Sequence, residues 1–243
     1  MKLGLRAPLW RTLHKYLGWL LLFQLLAWFG SGLIMTLLPI DQVHGDHLRQ
    51  ALPAASWQQA VAPAAVLAGK ADASLSLSQR GTEPVYLLNR QGEQSTYSAL
   101  TAEPLALLTE AEALQLAQAQ YKGPAPAATL ALLQQAPFEV RHLRGPLWQV
   151  SWQDQEHSAF YLHAFTGTAL SVRTDNWRLF DFVWMLHIMD YQERENFNSP
   201  LLMLFSATAL LFTFTGLVLL WPRSRNQRAR LSTAMARNSS RPL

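Results

Sequence analysis

Cysteine is absent from this 243-residue chain. That excludes disulfides, iron–sulfur clusters and thiol catalysis, and a redox role would need a cofactor held by nitrogen or oxygen ligands. No Gly-rich phosphate loop or dinucleotide fingerprint occurs, so the sequence shows no site for NAD or ATP. HExxH and GxSxG are missing too, and Ser, His and Asp fall at no triad spacing. Two long stretches, Tyr16 to Leu38 and Pro200 to Trp221, contain no Asp, Glu, Lys or Arg. A pump or a two-helix transporter lines its path with ionisable groups, so neither is expected. Acid is lacking at both ends of the chain: all 16 acidic residues lie between Asp41 and Glu195.

What the ends do hold is basic. Lys2, Arg6, Arg11 and Lys15 precede the first apolar run, and Arg223, Arg225, Arg228, Arg230, Arg237 and Arg241 follow the second. Each run exceeds the roughly 20 residues a helix needs to cross about 30 Å of hydrocarbon. Basic flanks stay on the cytoplasmic side. The expectation is a chain that crosses a bacterial inner membrane twice, both ends inside, with the intervening segment in the periplasm. The first run is longer than a signal-peptide core and ends in Leu37-Leu38-Pro39-Ile40-Asp41 rather than at a small-residue cleavage site, which predicts an uncleaved anchor. The net charge of +4 resides in the arms, where anionic headgroups attract it, so the bilayer and not nucleic acid is the expected polyanionic partner.

The segment between the runs reads as α+β. Residues 83–105 and 145–170 resemble each other: each opens with Pro, an apolar residue and an aromatic, passes a Gln-rich turn and an alternating strand, and closes on Thr-Ala/Gly-x-x-Leu. Ser56 to Leu67 reads as a helix before the first. Thr109 to Tyr121 reads as a helix before the second, with Thr109 and Glu112 spaced as a capping box. Alternation sets Trp148, Val150 and Trp152 against Leu147, Gln149 and Ser151, and Phe160, Leu162 and Ala164 against Tyr161, His163 and Phe165. Two small units are expected, each an antiparallel sheet covered by a helix.

Four segments carry a resemblance: Leu13-His14-Lys15-Tyr16-Leu17-Gly18-Trp19, Val43-His44-Gly45-Asp46-His47-Leu48, Phe160-Tyr161-Leu162-His163-Ala164-Phe165-Thr166-Gly167, and Asp181-Phe182-Val183-Trp184-Met185-Leu186-His187. With these the chain resembles the PepSY-associated transmembrane-helix proteins of bacterial inner membranes. The resemblance implies this organisation: a basic cytoplasmic arm (1–15), a first membrane helix (16–38), a periplasmic domain (39–175) of PepSY-like repeats (54–107 and 108–175), an interfacial helix and connector (176–199), a second membrane helix (200–221) and a basic tail (222–243). Some larger members of the family, with more membrane helices than the two found here, look like haem-containing ferric reductases. PepSY units of related proteins are thought to restrain peptidases or to sense envelope conditions.

Seven histidines are present. His14 sits at the inner edge of the first helix, His44 and His47 just beyond its outer edge, and His187 in an apolar segment before the second helix. His142, His157 and His163 fall on strands or turns. A lone interfacial histidine is ordinarily a snorkelling or hydrogen-bonding residue. Against that reading, Trp177, Phe180, Trp184, His187 and Tyr191 recur at spacings of 3 and 4 on one face of a helix expected over Asn176 to Tyr191. A flat macrocycle needs aromatic walls and an axial imidazole, and this face supplies both. The alternative is an aromatic belt helix resting on the bilayer. Asp190 is placed either to orient the imidazole or to pair with Arg194. His44 and His47, with Asp41 and Asp46, form a looser candidate cation patch.

Two functions follow. The first is a haem b-binding electron-transfer protein, a ferric (siderophore) iron reductase or its subunit. His187 with His47 or His44 would be the outer ligands and His14 the inner one. Two helices cannot enclose a haem, whereas a homodimer supplies four. Small residues on both helices, Ser206, Ala209, Thr213 and Gly216 against Ala27, Gly30 and Ser31, suit close helix approach. The second is a non-enzymatic PepSY module that binds a partner, with structural histidines.

Overall fold

The structure, a computed structural model, describes residues 7–70 and 72–239, with side chains from residue 8 to residue 220. Lys2 and Arg6 of the first arm, and the side chains of the tail arginines, lie outside the described residues. The chain forms two compact units. One holds residues 7–37 and 181–239; the other is Leu38–Phe180.

The first unit is helical. α1 (Ala7–Leu37) and α6 (Pro200–Ser239) pack against each other. Each contains a stretch long and apolar enough to cross a membrane, Pro8–Leu37 and Pro200–Leu220. Their outer faces are bare: Trp19, Phe23, Phe29, Leu204, Leu210 and Leu217 are all more than half exposed. Such surface would be costly in water and costs nothing in lipid. Close approach occurs at Gly18, where a Cβ would stand 3.2 Å from the Phe212 ring. Gly30 has open space around it.

The second unit is α+β. It carries two four-stranded antiparallel sheets of the same simple meander order. Strands β1 (Ala73–Arg80), β2 (Glu83–Arg90), β3 (Glu93–Ser98) and β4 (Pro104–Leu105) form the first. Strands β5 (Ala128–Leu133), β6 (Leu147–Trp152), β7 (Ala159–His163) and β8 (Ala169–Arg173) form the second. The two similar sequence stretches occupy the last three strands of their respective sheets.

The second sheet is the better covered. α4 (Glu110–Gln120) begins on Thr109, whose hydroxyl accepts from Glu112 N–H while the Glu112 carboxylate accepts from Thr109 N–H. Ala113 and Ala117 of this helix pack onto Trp148, Val150, Trp152, Phe160 and Leu162. Leu147 and Tyr161 point the other way, into a smaller cluster with Val140 and Ala159. At the β7–β8 turn Gly167 takes φ +70°, and a Cβ there would lie 2.3 Å from Leu116 Cδ1, so no other residue fits. The first sheet is covered differently. Instead of a helix over Ser56 to Leu67 there is one turn, α3 (Ala64–Leu67), behind Pro63. Proline lacks the N–H a preceding turn would need and its ring clashes with the carbonyl four residues back, so Pro63 can begin a helix but not sit inside one. The segment before it is irregular and packs through Trp57, Ala60 and Val61 on Tyr86, whose hydroxyl donates to Val61 O at 2.5 Å.

α2 (Ile40–His44) opens the second unit. α5 (Asp175–Ile188) begins in the second unit and ends in the first.

Candidate functional site

His187 lies in the last turn of α5 and touches α1 through three neighbouring residues. Its carbonyl accepts from Trp28 Nε1 at 2.8 Å. Its ring Nδ1 stands 3.0 Å from Ser31 Oγ. Its Cε1 would be 3.6 Å from a Cβ on Gly32, so the glycine clears the ring edge. Ser31 is buried, and its hydroxyl donates to Trp28 O one turn back at 3.1 Å. A hydroxyl has one proton, so Ser31 faces the imidazole with a lone pair. In that arrangement Nδ1 carries the ring proton. Nε2 is left as the basic nitrogen, with no hydrogen bond among the described residues.

His14 repeats the arrangement with other elements. It lies on α1, and its partners are on α6. Nδ1 stands 2.8 Å from Thr215 Oγ1 and 3.2 Å from Phe212 O. Thr215 is fully buried, and its hydroxyl donates to Phe212 O at 2.7 Å. A carbonyl can only accept, so Nδ1 again carries the proton and Nε2 is again basic and without a hydrogen bond among the described residues. The ring stacks on Phe212, centroids 4.2 Å apart and 7° from parallel. A Cβ on Gly216 would stand 3.3 Å from His14 Cε1. A hydroxyl-glycine dipeptide thus faces each histidine: Ser31-Gly32 and Thr215-Gly216. His14 and Ser31 are about 25 Å apart along α1 at 1.5 Å per residue.

Each ring borders a cavity. The one at His187, about 570 Å³, is walled by Trp28, Phe29, Trp184, Ile188, Phe197 and Leu202. Trp184 is fixed by its Nε1, which donates to Arg194 O at 3.1 Å, and by Phe197 packed edge-on at 5.4 Å. The cavity at His14, about 460 Å³, is lined by Arg11, Gly216, Leu219 and Leu220.

The loop after α5 holds the Phe197 wall in place. Met189 takes φ +52° and ends the helix. Tyr191 therefore does not continue the aromatic face; it stands more than half exposed beyond the helix. Neither role expected of Asp190 is the one it takes. Its carboxylate accepts the backbone N–H groups of Gln192, Glu193, Glu195 and Asn196. These bonds, that of Asn196 foremost, hold its pKa below the usual carboxylate value. Arg194 pairs instead with Asp181.

His44 and His47 belong to the second unit. His44 Nδ1 is 3.9 Å from Asp46, both side chains largely exposed. His47 has both ring nitrogens engaged, Nδ1 at 3.3 Å from Asp41 O and Nε2 at 2.8 Å from Glu156 Oε1. No group of three or more His, Asp or Glu among the described residues is arranged to hold a metal ion. His157 pairs with Asp175 at 2.6 Å. His163 receives Phe165 and Thr166 N–H at Nδ1 and donates Nε2–H to Gln94.

His14 and His187 fit an axial haem ligand in three respects. Ligating imidazoles give their second N–H to a fixed acceptor, leaving the other nitrogen for the metal. Glycine clears the ring edge where a side chain would intrude. The cavity at His187 has apolar walls, and the one at His14 sets Leu219 and Leu220 beside Arg11. Neither cavity contains a second histidine, so a six-coordinate iron would take its other ligand from beyond these lining residues. The sequence did not single out Thr215 at all, and read Ser31 and Gly216 only as small residues. The signal present was the hydroxyl-glycine pair in each otherwise bulky apolar helix.

No protein-family profile, curated protein or solved structure matches this chain.

Proposed function

We propose that this chain is a haem b-binding electron-transfer protein of a bacterial inner membrane, with His14 at an inner site and His187 at an outer one. Both apolar helices cross, both ends face the cytoplasm, and the two-sheet unit, read as paired PepSY-like repeats, stands in the periplasm. The observation that supports the proposal is the double occurrence of one device: imidazole Nδ1 against a buried hydroxyl, with Nε2 left free of hydrogen bonds beside a glycine-cleared cavity. A structural histidine needs only the first half of that device. Bound haem would supply a one-electron couple at each membrane face. The chain's own part is to fix the imidazole tautomer, exclude water with Trp28, Trp184, Phe197 and Leu202, and hold the two sites at opposite ends of α1. The incomplete ligand set at each cavity favours a homodimer whose second copy completes it. The segment between the two apolar runs has ten Lys or Arg against 16 acids, which attracts cationic iron, so ferric iron or a ferric chelate is the proposed acceptor.

The test is a reduced-minus-oxidised absorption spectrum of the full chain purified in detergent. A haem b spectrum is expected, halved in His187→Ala and in His14→Ala and unchanged in His157→Ala. A colourless wild type that takes up no added haem b overturns the reading. It would favour a second one, in which the paired sheets form a regulatory module that restrains a peptidase or senses envelope conditions.

A further inference from the structure

We infer that Arg11 holds a propionate carboxylate of the haem at His14, which makes the inner and outer sites chemically unequal. The inference rests on the proposed haem reading and adds a residue to it. Arg11 and His14 are three apart on α1 and so share a face. Both line the same cavity, with Gly216, Leu219 and Leu220 of α6. Arg11 is exposed and has no ion pair among the described residues. The sequence places no acidic side chain near it. Neither basic arm contains an acid, and the first acidic residue in the chain is Asp41. A guanidinium in this position is available to a carboxylate that the chain does not own.

The rest of the cavity suits the same ligand. Leucines offer apolar contact for a ring, Gly216 leaves space at the imidazole edge, and the cation stands one helical turn from the imidazole. Haem b is a flat apolar ring bearing two carboxylates, and all three features have a use for it. An anionic lipid phosphate would use Arg11 alone. The cavity at His187 offers no such partner: its walls are apolar, and His187 is its one titratable residue.

The sign of the effect on potential follows from charge. Ferric haem carries one more positive charge than ferrous haem. A guanidinium nearby disfavours the ferric form directly, and neutralising a propionate removes an anion that favours it. Losing Arg11 therefore lowers the midpoint potential of the inner haem.

The experiment uses the full chain in the His187→Ala background, so that only the inner haem is observed, with haem b itself as the probe. Arg11→Gln and Arg11→Lys are compared in nanodiscs of neutral and of anionic lipid. Arg11→Gln is expected to weaken haem retention about tenfold, the worth of one charge-assisted hydrogen bond, and to shift the midpoint potential negative. Arg11→Lys should restore most of both. Both effects should appear in neutral nanodiscs. Unchanged haem content and potential in Arg11→Gln overturns the inference while the haem reading stands. Effects seen only in anionic nanodiscs assign Arg11 to lipid headgroups, which also overturns it. A wild type without haem overturns both.

Discussion

At the scale of single residues, the most telling atoms are two hydroxyl protons. Ser31 and Thr215 each have a carbonyl of their own helix within donating distance, which leaves the hydroxyl lone pairs to accept from the imidazole Nδ1. Removing the Ser31 hydroxyl takes away the Nδ1 partner of His187, and removing that of Thr215 leaves His14 Nδ1 with the Phe212 carbonyl alone. Ser31→Ala and Thr215→Ala should each weaken haem binding at their own site about tenfold, the lower end for an outer-shell partner, while Ser31→Thr should not. Haem titration followed by absorbance measures it; equal affinity in Ser31→Ala and wild type would dismiss the tautomer argument. A second histidine gives a pH signature. Burial pushes the His163 pKa down from its ordinary value. Its Nδ1 must stay unprotonated to receive the Phe165 and Thr166 N–H groups. A group depressed in the folded state contributes stability that is complete above its unfolded pKa of about 6.5 and is lost as pH falls below it. Urea unfolding of the full chain should therefore show a loss of stability from pH 7 to pH 5 that is smaller in His163→Gln. An equal loss in both would assign the acid sensitivity to other groups.

At the scale of elements, what could be read from the sequence depended on how far apart the interacting residues lie. The strand over Leu147–Trp152 was legible because its alternation is local, and Trp148, Val150 and Trp152 do share one face. The start of α4 was legible because a capping box spans four residues. The helix expected over Ser56 to Leu67 was a misreading of apolar spacing, since Pro63 interrupts it. His187 stood out through its aromatic neighbours, but its partner Ser31 lies 156 positions away in sequence, a separation no local pattern reports. The end of α5 was hidden for another reason. The residue that breaks it is Met189, at φ +52°, a conformation methionine rarely signals. That conformation is held from outside, by the loop gathered on the Asp190 carboxylate. Asp190→Asn keeps the shape and removes the charge. It should speed amide hydrogen exchange at Gln192 to Asn196 at pH 7. In the wild type the same opening should appear only as pH falls through the depressed Asp190 pKa. Unchanged exchange in Asp190→Asn would mean the loop is held by Trp184 and Arg194 instead.

At the scale of the whole molecule, charge segregation makes the proposed orientation testable without reference to any cofactor. A reporter active only in the cytoplasm, fused at Leu243, should be active, and one inserted near Gly123 should be silent. Activity at Gly123 would reverse the assignment of inner and outer sites. The two hydroxyl-glycine dipeptides have a consequence of their own. They sit on different helices and serve different histidines, so the proposed route resembles a circuit with two contacts in series, each with its own switch. Opening one switch should not discharge or disable the other. In Ser31→Ala, His14 would still hold its proposed haem, so reduction by a cytoplasmic-side reductant should persist. Re-oxidation by polar Fe³⁺ chelates confined to the periplasmic side should then slow at limiting haem, because fewer outer sites would be filled. In Thr215→Ala the reverse is expected: draining by chelates would be unchanged and recharging from within slowed. Stopped-flow absorbance on oriented vesicles reads both cases, and free passage of electrons through either variant would show that the current takes another path.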